Sequence, residues 1–413
     1  MTGADRGPSA GSYRRVLGIR EARGLLVAQA ASEIGDQAAR VAIALLVLER
    51  TGDLLYSALA LAIAYVPGIL GEAVLGSLAD RYPRREIMLV CDLLRLVILG
   101  ALAVLVMQSV SLLVVFALLL TSEFVSLPFG TARASLFPDV VPDRTDYVTV
   151  QGLSRTVHLS TQVIGSVAGG GLVDLLGVSR TLAIDAVTFL VSFVMIRQYV
   201  LRRPPTDEAG TSPKRMARDF WGGARELLGD PVRRSITLLG WGSALFLIAP
   251  EAVALGYRPG LTPLVGGVLL AAVPAGSAVG ALLLPRVPLR DQLRLLLPLA
   301  ALSCLPLFAT SIGPPPLVAA ALWFVAGVLQ AFVLTVISAV TMLTDRARRG
   351  RVLGIASAGF NAATAVSFAL VGWLAGFSGI GPARAVSLAG AGGLLTVALL
   401  RAAWPSQAID DAV

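Results

Sequence analysis

Three ionisable residues stand close together in an otherwise apolar stretch near the N terminus: Glu33, Asp36 and Arg40, with Gln37 among them. On a helix that turns about 100° per residue they fall within about 60° of one another, so they share one face. The chemistry such a face can do is proton exchange. An ionised group in the middle of a bilayer costs roughly 2.5–3.5 kcal/mol and a leucine returns only about 0.5, so three charges facing lipid would nearly cancel the apolar gain of the span. The face must therefore line a polar cavity or meet partners. Asp36 and Arg40 have the four-residue spacing of a pair on one helix, which leaves Glu33 with no base on its own turn and free to titrate.

Other chemistry-bearing residues in apolar surroundings are Glu72, Asp92, Glu123 and Asp185 in the first half of the chain and Glu251 alone in the second, which puts proton handling in the first half. Glu123 is the second choice for a proton site. Asp92 and Arg95 read as a structural pair, Asp185 as a packing or capping group, and His158, the sole histidine, as a hydrogen-bonded helix residue whose ordinary pKa near 6.5 also suits a relay.

The elements that must position these groups follow from composition. Of 413 residues 56% are hydrophobic and only 15% are charged, where a soluble protein needs about a quarter charged to cover its surface. Charge is confined to intervals between apolar runs, and each run approaches the ~20 residues that cross a bilayer. Twelve spans are expected, at 24–48, 54–79, 86–108, 111–132, 150–173, 180–198, 234–256, 262–285, 291–311, 315–341, 352–375 and 382–403. An even number places both termini on one side. That side receives 27 of the 34 Lys and Arg, the other receives Arg50, Arg180, Arg258 and Arg384, and Arg40, Arg95 and Arg155 lie within spans. The positive-inside rule then puts both termini in the cytoplasm of a bacterial inner membrane. It also accounts for the net charge of +8 without nucleic acid.

One long polar interval, 199–233, with Pro204, Pro205 and Pro213, separates an N-terminal bundle (1–198) from a C-terminal one (234–413). Its later part, from Asp219 to Leu228, carries Phe220, Trp221, Ala224, Leu227 and Leu228 at the spacing of a short interfacial helix, and a solvated basic linker is the alternative. A repeat at an offset of 202 relates the halves: Asp143-Arg144 to Asp345-Arg346, Gly152 to Gly354, Gly170 to Gly372 and Gly177 to Gly379. The expected fold is all-α, two pseudo-symmetric bundles of six transmembrane helices each. Cys91 and Cys304 both lie in apolar runs and suggest neither a disulfide nor a metal site. An enzyme is disfavoured, because one histidine cannot form a His-x-x-x-His pair and neither a Gly-x-Ser-x-Gly element nor an ATP-binding phosphate loop is present.

Between the second and third spans stands Gly76-Ser-Leu-Ala-Asp80-Arg81-Tyr-Pro-Arg84-Arg85. It resembles the hallmark loop of the major facilitator superfamily, G-x-L-A-D-R-x-G-R-R, with Pro83 in place of the usual glycine. The resemblance implies a cytoplasmic latch in which Gly76 allows close helix approach and Asp80 meets the start of the eleventh span near Val352 to Gly354, where a helix N-terminus favours an anion. Arg81, Arg84, Arg85 and Arg133 complete this gating group, the arginines serving also as topology determinants. Gly165-Ser166-Val-Ala-Gly169-Gly170 resembles the G-P-x-x-G-G element of proton-linked exporters in that superfamily, with serine for proline; glycine-mediated packing is the alternative reading. Ser32-Glu33-Ile-Gly35-Asp36-Gln37 and Ala183-Ile-Asp185-Ala-Val-Thr188-Phe189 are similar to the macrolide-efflux and enterobactin-exporter branch.

That resemblance implies secondary transport by alternating access, with no cofactor, with protons and an amphipathic small molecule as partners in a lipid bilayer, and with a monomeric protein. For the substrate cavity the residues expected are Gln37, Trp241, Phe246, Gln330, Phe360 and Asn361, with Trp323 and Phe332 also at mid-span depth. They suit a bulky, partly hydrophobic cargo. Proton-coupled export of drugs or lipophilic natural products is the leading expectation. A siderophore or nutrient carrier and a lipid or lysolipid transporter are the alternatives.

Overall fold

The computed structural model describes residues 10–70, 82–141, 143–204, 213–345, 348–377 and 379–405, and every regular element among them is helical. Nine of these helices are long and apolar enough to cross a membrane. Two shorter apolar helices, Leu54–Ile69 and Leu296–Ile312, supply the second and ninth spans. The first span, Arg20–Thr51, has 32 residues, a rise of about 48 Å against a hydrocarbon core of about 30 Å. Glu33, Asp36 and Arg40 set it apart from the nine. Together these make the twelve expected spans, and most helices run a few residues beyond the stretches read from the sequence; the fifth, Arg144–Leu176, is longer at both ends.

Their outer faces are what lipid requires. Val97, Met107, Leu113, Leu282, Leu317, Leu395 and Leu399 are each at least 60% exposed, an apolar surface that water would not tolerate and acyl chains match. Helix starts on the sparsely charged face are fixed locally. Asp53 and Thr262 accept hydrogen bonds from the backbone N–H groups of Leu55 and Val265 (2.8 and 3.4 Å), satisfying donors that a helix start leaves open. The first span ends at Gly52, whose φ of 65° lets its N–H return to the Leu48 carbonyl at little steric cost.

Spans one to six pack among themselves, the second lying on the first and fourth, as do spans seven to twelve. The halves meet mainly through the fifth span on the eighth and the second on the eleventh, with smaller contacts of the seventh on the first and second. Small residues make the two main pairs possible. Gly170 lies so near the Pro263 carbonyl and Gly267 that a Cβ has no room, and a Cβ on Gly372 would sit 2.8 Å from that of Ala58. Both contacts lie towards the sparsely charged face. At the basic ends of the same helices Gly152 and Gly354 have nothing within 4 Å of a Cβ. Among the described residues the halves are therefore in contact on the sparse side, and the fifth span stands clear of its neighbours at Gly152.

Of the hallmark loop, Gly76, Asp80 and Arg81 lie outside the described residues, as does Glu72. Arg84 pairs with Asp139 at the end of the fourth span, and Arg85 donates to the Arg197 carbonyl (2.8 Å) at the end of the sixth. Both contacts join helices of the first half. On the same basic face Arg203 donates to Glu21 (2.9 Å), and those hydrogen bonds hold its guanidinium above its ordinary pKa. The polar interval contains a helix, Pro213–Gly229, longer than the segment read from the sequence. Leu227 is buried, Trp221 is exposed, and Gly223 lies against Ile355 and the Arg351 backbone of the eleventh span. The segment is thus helical and packs on the eleventh span.

Candidate functional site: a charged cavity beside a larger mixed one

Prolines shape the spans around the space between the halves. Pro67 lacks an N–H and crowds the carbonyl four residues back, and the second span tightens into a 3-10 turn at Ile63–Tyr65. The seventh span breaks after Leu247, where Pro250 opens the short helix Ala249–Val253. Tyr65 and Glu251 are thereby presented to one cavity of about 400 Å³. Trp241, Gln330, Phe360 and Asn361 line it as the sequence predicts, and the Trp241 indole donates to the Ala356 carbonyl (2.9 Å).

Phe246 does not line it. That ring packs on Gly392 and Gly393, in the seam between the seventh and twelfth spans, because a half-turn along the helix reverses the face presented. Trp323 and Phe332 do not line it either, being fully buried, and Trp323 donates to Thr310 (3.3 Å). Sequence reasoning did not assign Tyr65, Arg155 and Gln162 to the cavity wall. Arg155 carried a signal, since an arginine inside a span needs a polar surrounding.

A second cavity, about 180 Å³, lies in the first half and is lined by Glu33, Asp36, Gln37, Arg40, Arg95 and Arg133, among others. His158 and Gln162 border both cavities, so the two adjoin. The pairing inside differs from the expected one. Arg40 turns away from Asp36 and grips Glu123 of the fourth span with two hydrogen bonds, Nε to Oε1 at 2.8 Å and Nη2 to Oε2 at 2.9 Å. Asp36 is bound by Arg95 of the third span. An i, i+4 pair holds one helix only, whereas parallel two-point geometry between guanidinium and carboxylate is the stronger bond, and neighbouring helices supply it.

The expected pairing of Asp92 with Arg95 is corrected with it: Asp92 accepts from Ser192 (2.7 Å) instead. Arg95 also lies over the Phe189 ring, 4.4 Å from its centre. Nor is Glu33 free. It accepts from Gln29 (3.0 Å), Thr161 (2.9 Å) and Arg133 (3.4 Å), and His158 Nδ1 stands 3.3 Å from Oε2. Arg133, grouped with the gate by sequence, is placed in this cavity beside Glu33. Gln37 donates to Ser166 (3.0 Å) of the glycine-rich element, and Gly165 and Gly169 lie against Gln37 and Ala38 of the first span. Close packing accounts for those glycines. Behind the first span Asp185 is buried beside Gly35 and accepts from Thr188 (3.2 Å).

Chemically, then, three carboxylates of the first half each face a guanidinium from another span. A proton added to any of them would cancel one charge and leave the arginine to seek another partner, loosening a tie between helices.

The sequence model of the Major Facilitator Superfamily matches residues 25–344. A curated relative, the uncharacterized MFS-type transporter YkuC of Bacillus subtilis (strain 168), is 25% identical over 222 residues, 51% of this chain, and the match spans half of that protein's length. Among solved structures, the nucleoside transporter NupG superposes with a TM-score of 0.72 at 12% identity, covering 93% of this chain and 99% of that one. A POT family transporter in complex with 5-aminolevulinic acid gives 0.74 at 11%, covering 94% and 96%. A bacterial homologue of the iron transporter ferroportin, in an outward-facing state, gives 0.62 at 19%, covering 94% and 99%. At these identities the structures share the fold alone.

Proposed function

Because the chain belongs to the major facilitator superfamily and is a transporter, not an enzyme, we propose that it exports amphipathic drugs or lipophilic natural products in exchange for protons, from a bacterial inner membrane with its basic face in the cytoplasm. The observation that carries this reading is the adjacency of the charged cavity to the larger one through His158 and Gln162. Desolvation favours a neutral carboxyl and a nearby cation favours the carboxylate, and rocking of the two bundles about the 199–233 linker would change both at once. Proton binding is thereby tied to which side the cavity faces. The mixed wall of Trp241, Phe360, Gln330 and Asn361 fits an amphipathic cargo. The similarity of the first and sixth spans to the macrolide-efflux and enterobactin-exporter branch favours export.

Glu33→Gln and Asp36→Asn should each lower uphill efflux from proteoliposomes by about tenfold or more, the consequence of losing one charge-assisted hydrogen bond, while binding of the same drug is partly kept. Wild-type transport that ignores an imposed pH gradient would reject the proton-coupled reading. Such a result would favour lipid transport, for which an apolar groove of about 540 Å³ between the third and fourth spans, lined by Val90, Leu94, Phe124 and Pro128, offers a place. Orientation has its own check. Single cysteines in the 199–233 linker or at 133–147 should resist membrane-impermeant thiol reagents in intact cells, and ready labelling from outside would invert the topology.

A further inference from the structure

Two ionisable residues in the larger cavity make no direct ion pair among the described residues, although Arg155 feels the charge of Glu33 in the adjoining cavity. Glu251 lines it where the seventh span breaks, and neither a hydrogen bond nor an ion pair holds its carboxyl among the described residues. Arg155, on the opposite wall, is exposed into the same space and likewise makes neither. Every other carboxylate and guanidinium of the two cavities is paired. A charge at membrane depth without a partner is costly, so two of opposite sign facing one cavity are explained if the cargo supplies the partners.

Their placement gives the cargo a direction. Arg155 lies eleven residues into the fifth helix from its basic-face end at Arg144, and Glu251 lies twenty residues beyond the start of the seventh at Pro231. At about 1.5 Å per residue, the acid is roughly 10–15 Å deeper than the base. By the same measure Trp241 and Phe360, ten and eleven residues into their helices, stand level with Arg155, where they suit a flat apolar body beside the base.

We infer that the transported molecule is amphoteric: an anionic group meets Arg155 near the basic mouth, a cationic amine meets Glu251 at the closed end, and an apolar body lies on Trp241 and Phe360. The inference rests on the reading of this cavity as the transport site. A molecule with a single charge would leave one of the two residues unanswered, and that is the discrimination the site offers.

Three quinolone probes test it on the purified transporter in nanodiscs: norfloxacin, which carries a carboxylate and an amine, its methyl ester, which keeps only the amine, and nalidixic acid, which carries the carboxylate and lacks the amine-bearing ring. Norfloxacin should bind about tenfold more tightly than either, one charge-assisted contact being lost in each comparison. Glu251→Gln should reduce norfloxacin to the level of nalidixic acid and leave nalidixic acid unchanged. Arg155→Gln should reduce it to the level of the ester and leave the ester unchanged. The inference is overturned if the ester equals norfloxacin, if norfloxacin does not bind, or if either variant weakens all three probes alike. Gradient-driven efflux of norfloxacin from proteoliposomes made with the same protein separates this from the proton-coupled reading. Efflux that persists while the binding pattern is absent rejects the amphoteric cargo alone, and a binding pattern that persists without gradient dependence rejects the proton coupling alone.

Discussion

Arg40→Met is expected to destabilise the protein by about 3–5 kcal/mol, because it strands the Glu123 carboxylate in the first half of the bundle without its cation. The side chain of Glu123 is 5% exposed and that of Arg40 is 25% exposed, so water reaching Arg40 through the cavity puts the loss at the lower end of that range. Replacing both partners, Arg40→Met with Glu123→Leu, should restore most of the stability, since a well-packed apolar pair commonly matches a buried ion pair. Thermal unfolding in detergent, followed on the two single variants and the double, gives the comparison. A double variant no more stable than Arg40→Met would mean that the bidentate bond is not what the lost stability reports. Transport should stay absent in the double variant, because the bond's removal also removes a charge that protonation can act on.

The second large effect concerns the closed side. Gly170→Leu forces a side chain into the space held by the Pro263 carbonyl and Gly267, and overpacking of this kind costs about 1–3 kcal/mol. That cost falls only on the conformation in which the fifth and eighth spans touch, so it becomes a shift in population of about fivefold to more than a hundredfold. A cysteine in place of Ser277, which lines the larger cavity, should then react at least about fivefold faster with an impermeant thiol reagent added on the sparsely charged side. Gly171→Ala is the control, since its Cβ meets Leu264 at an ordinary 3.5 Å. Unchanged labelling in Gly170→Leu would show that some other contact closes that face.

Much of this protein is legible without coordinates, for a physical reason. A bilayer offers no hydrogen bonds to an exposed backbone, so a long apolar run has one answer, a helix, and the alternation of basic and sparse intervals then orders the helices across the membrane. Membership of the cavity could be read in part, because charges such as Glu33, Asp36 and Arg40 must avoid lipid. Partner choice could not. Glu123 lies 83 residues from Arg40 and Arg95 lies 59 from Asp36, and sequence spacing ranks only the neighbours on one helix, which is why it favoured Asp36 with Arg40 and Asp92 with Arg95. Phe246 was misplaced for a related reason: a helix in lipid is apolar all round, so its pattern does not say which face meets the cavity and which meets another helix. The sequence by itself determined the helices, their likeness to a family and the set of charges that must be sheltered. Only the tertiary structure decided which charges answer one another and which two in the larger cavity, Arg155 and Glu251, make no ion pair among the described residues, because that depends on the rotation and crossing of helices set by packing across the whole bundle.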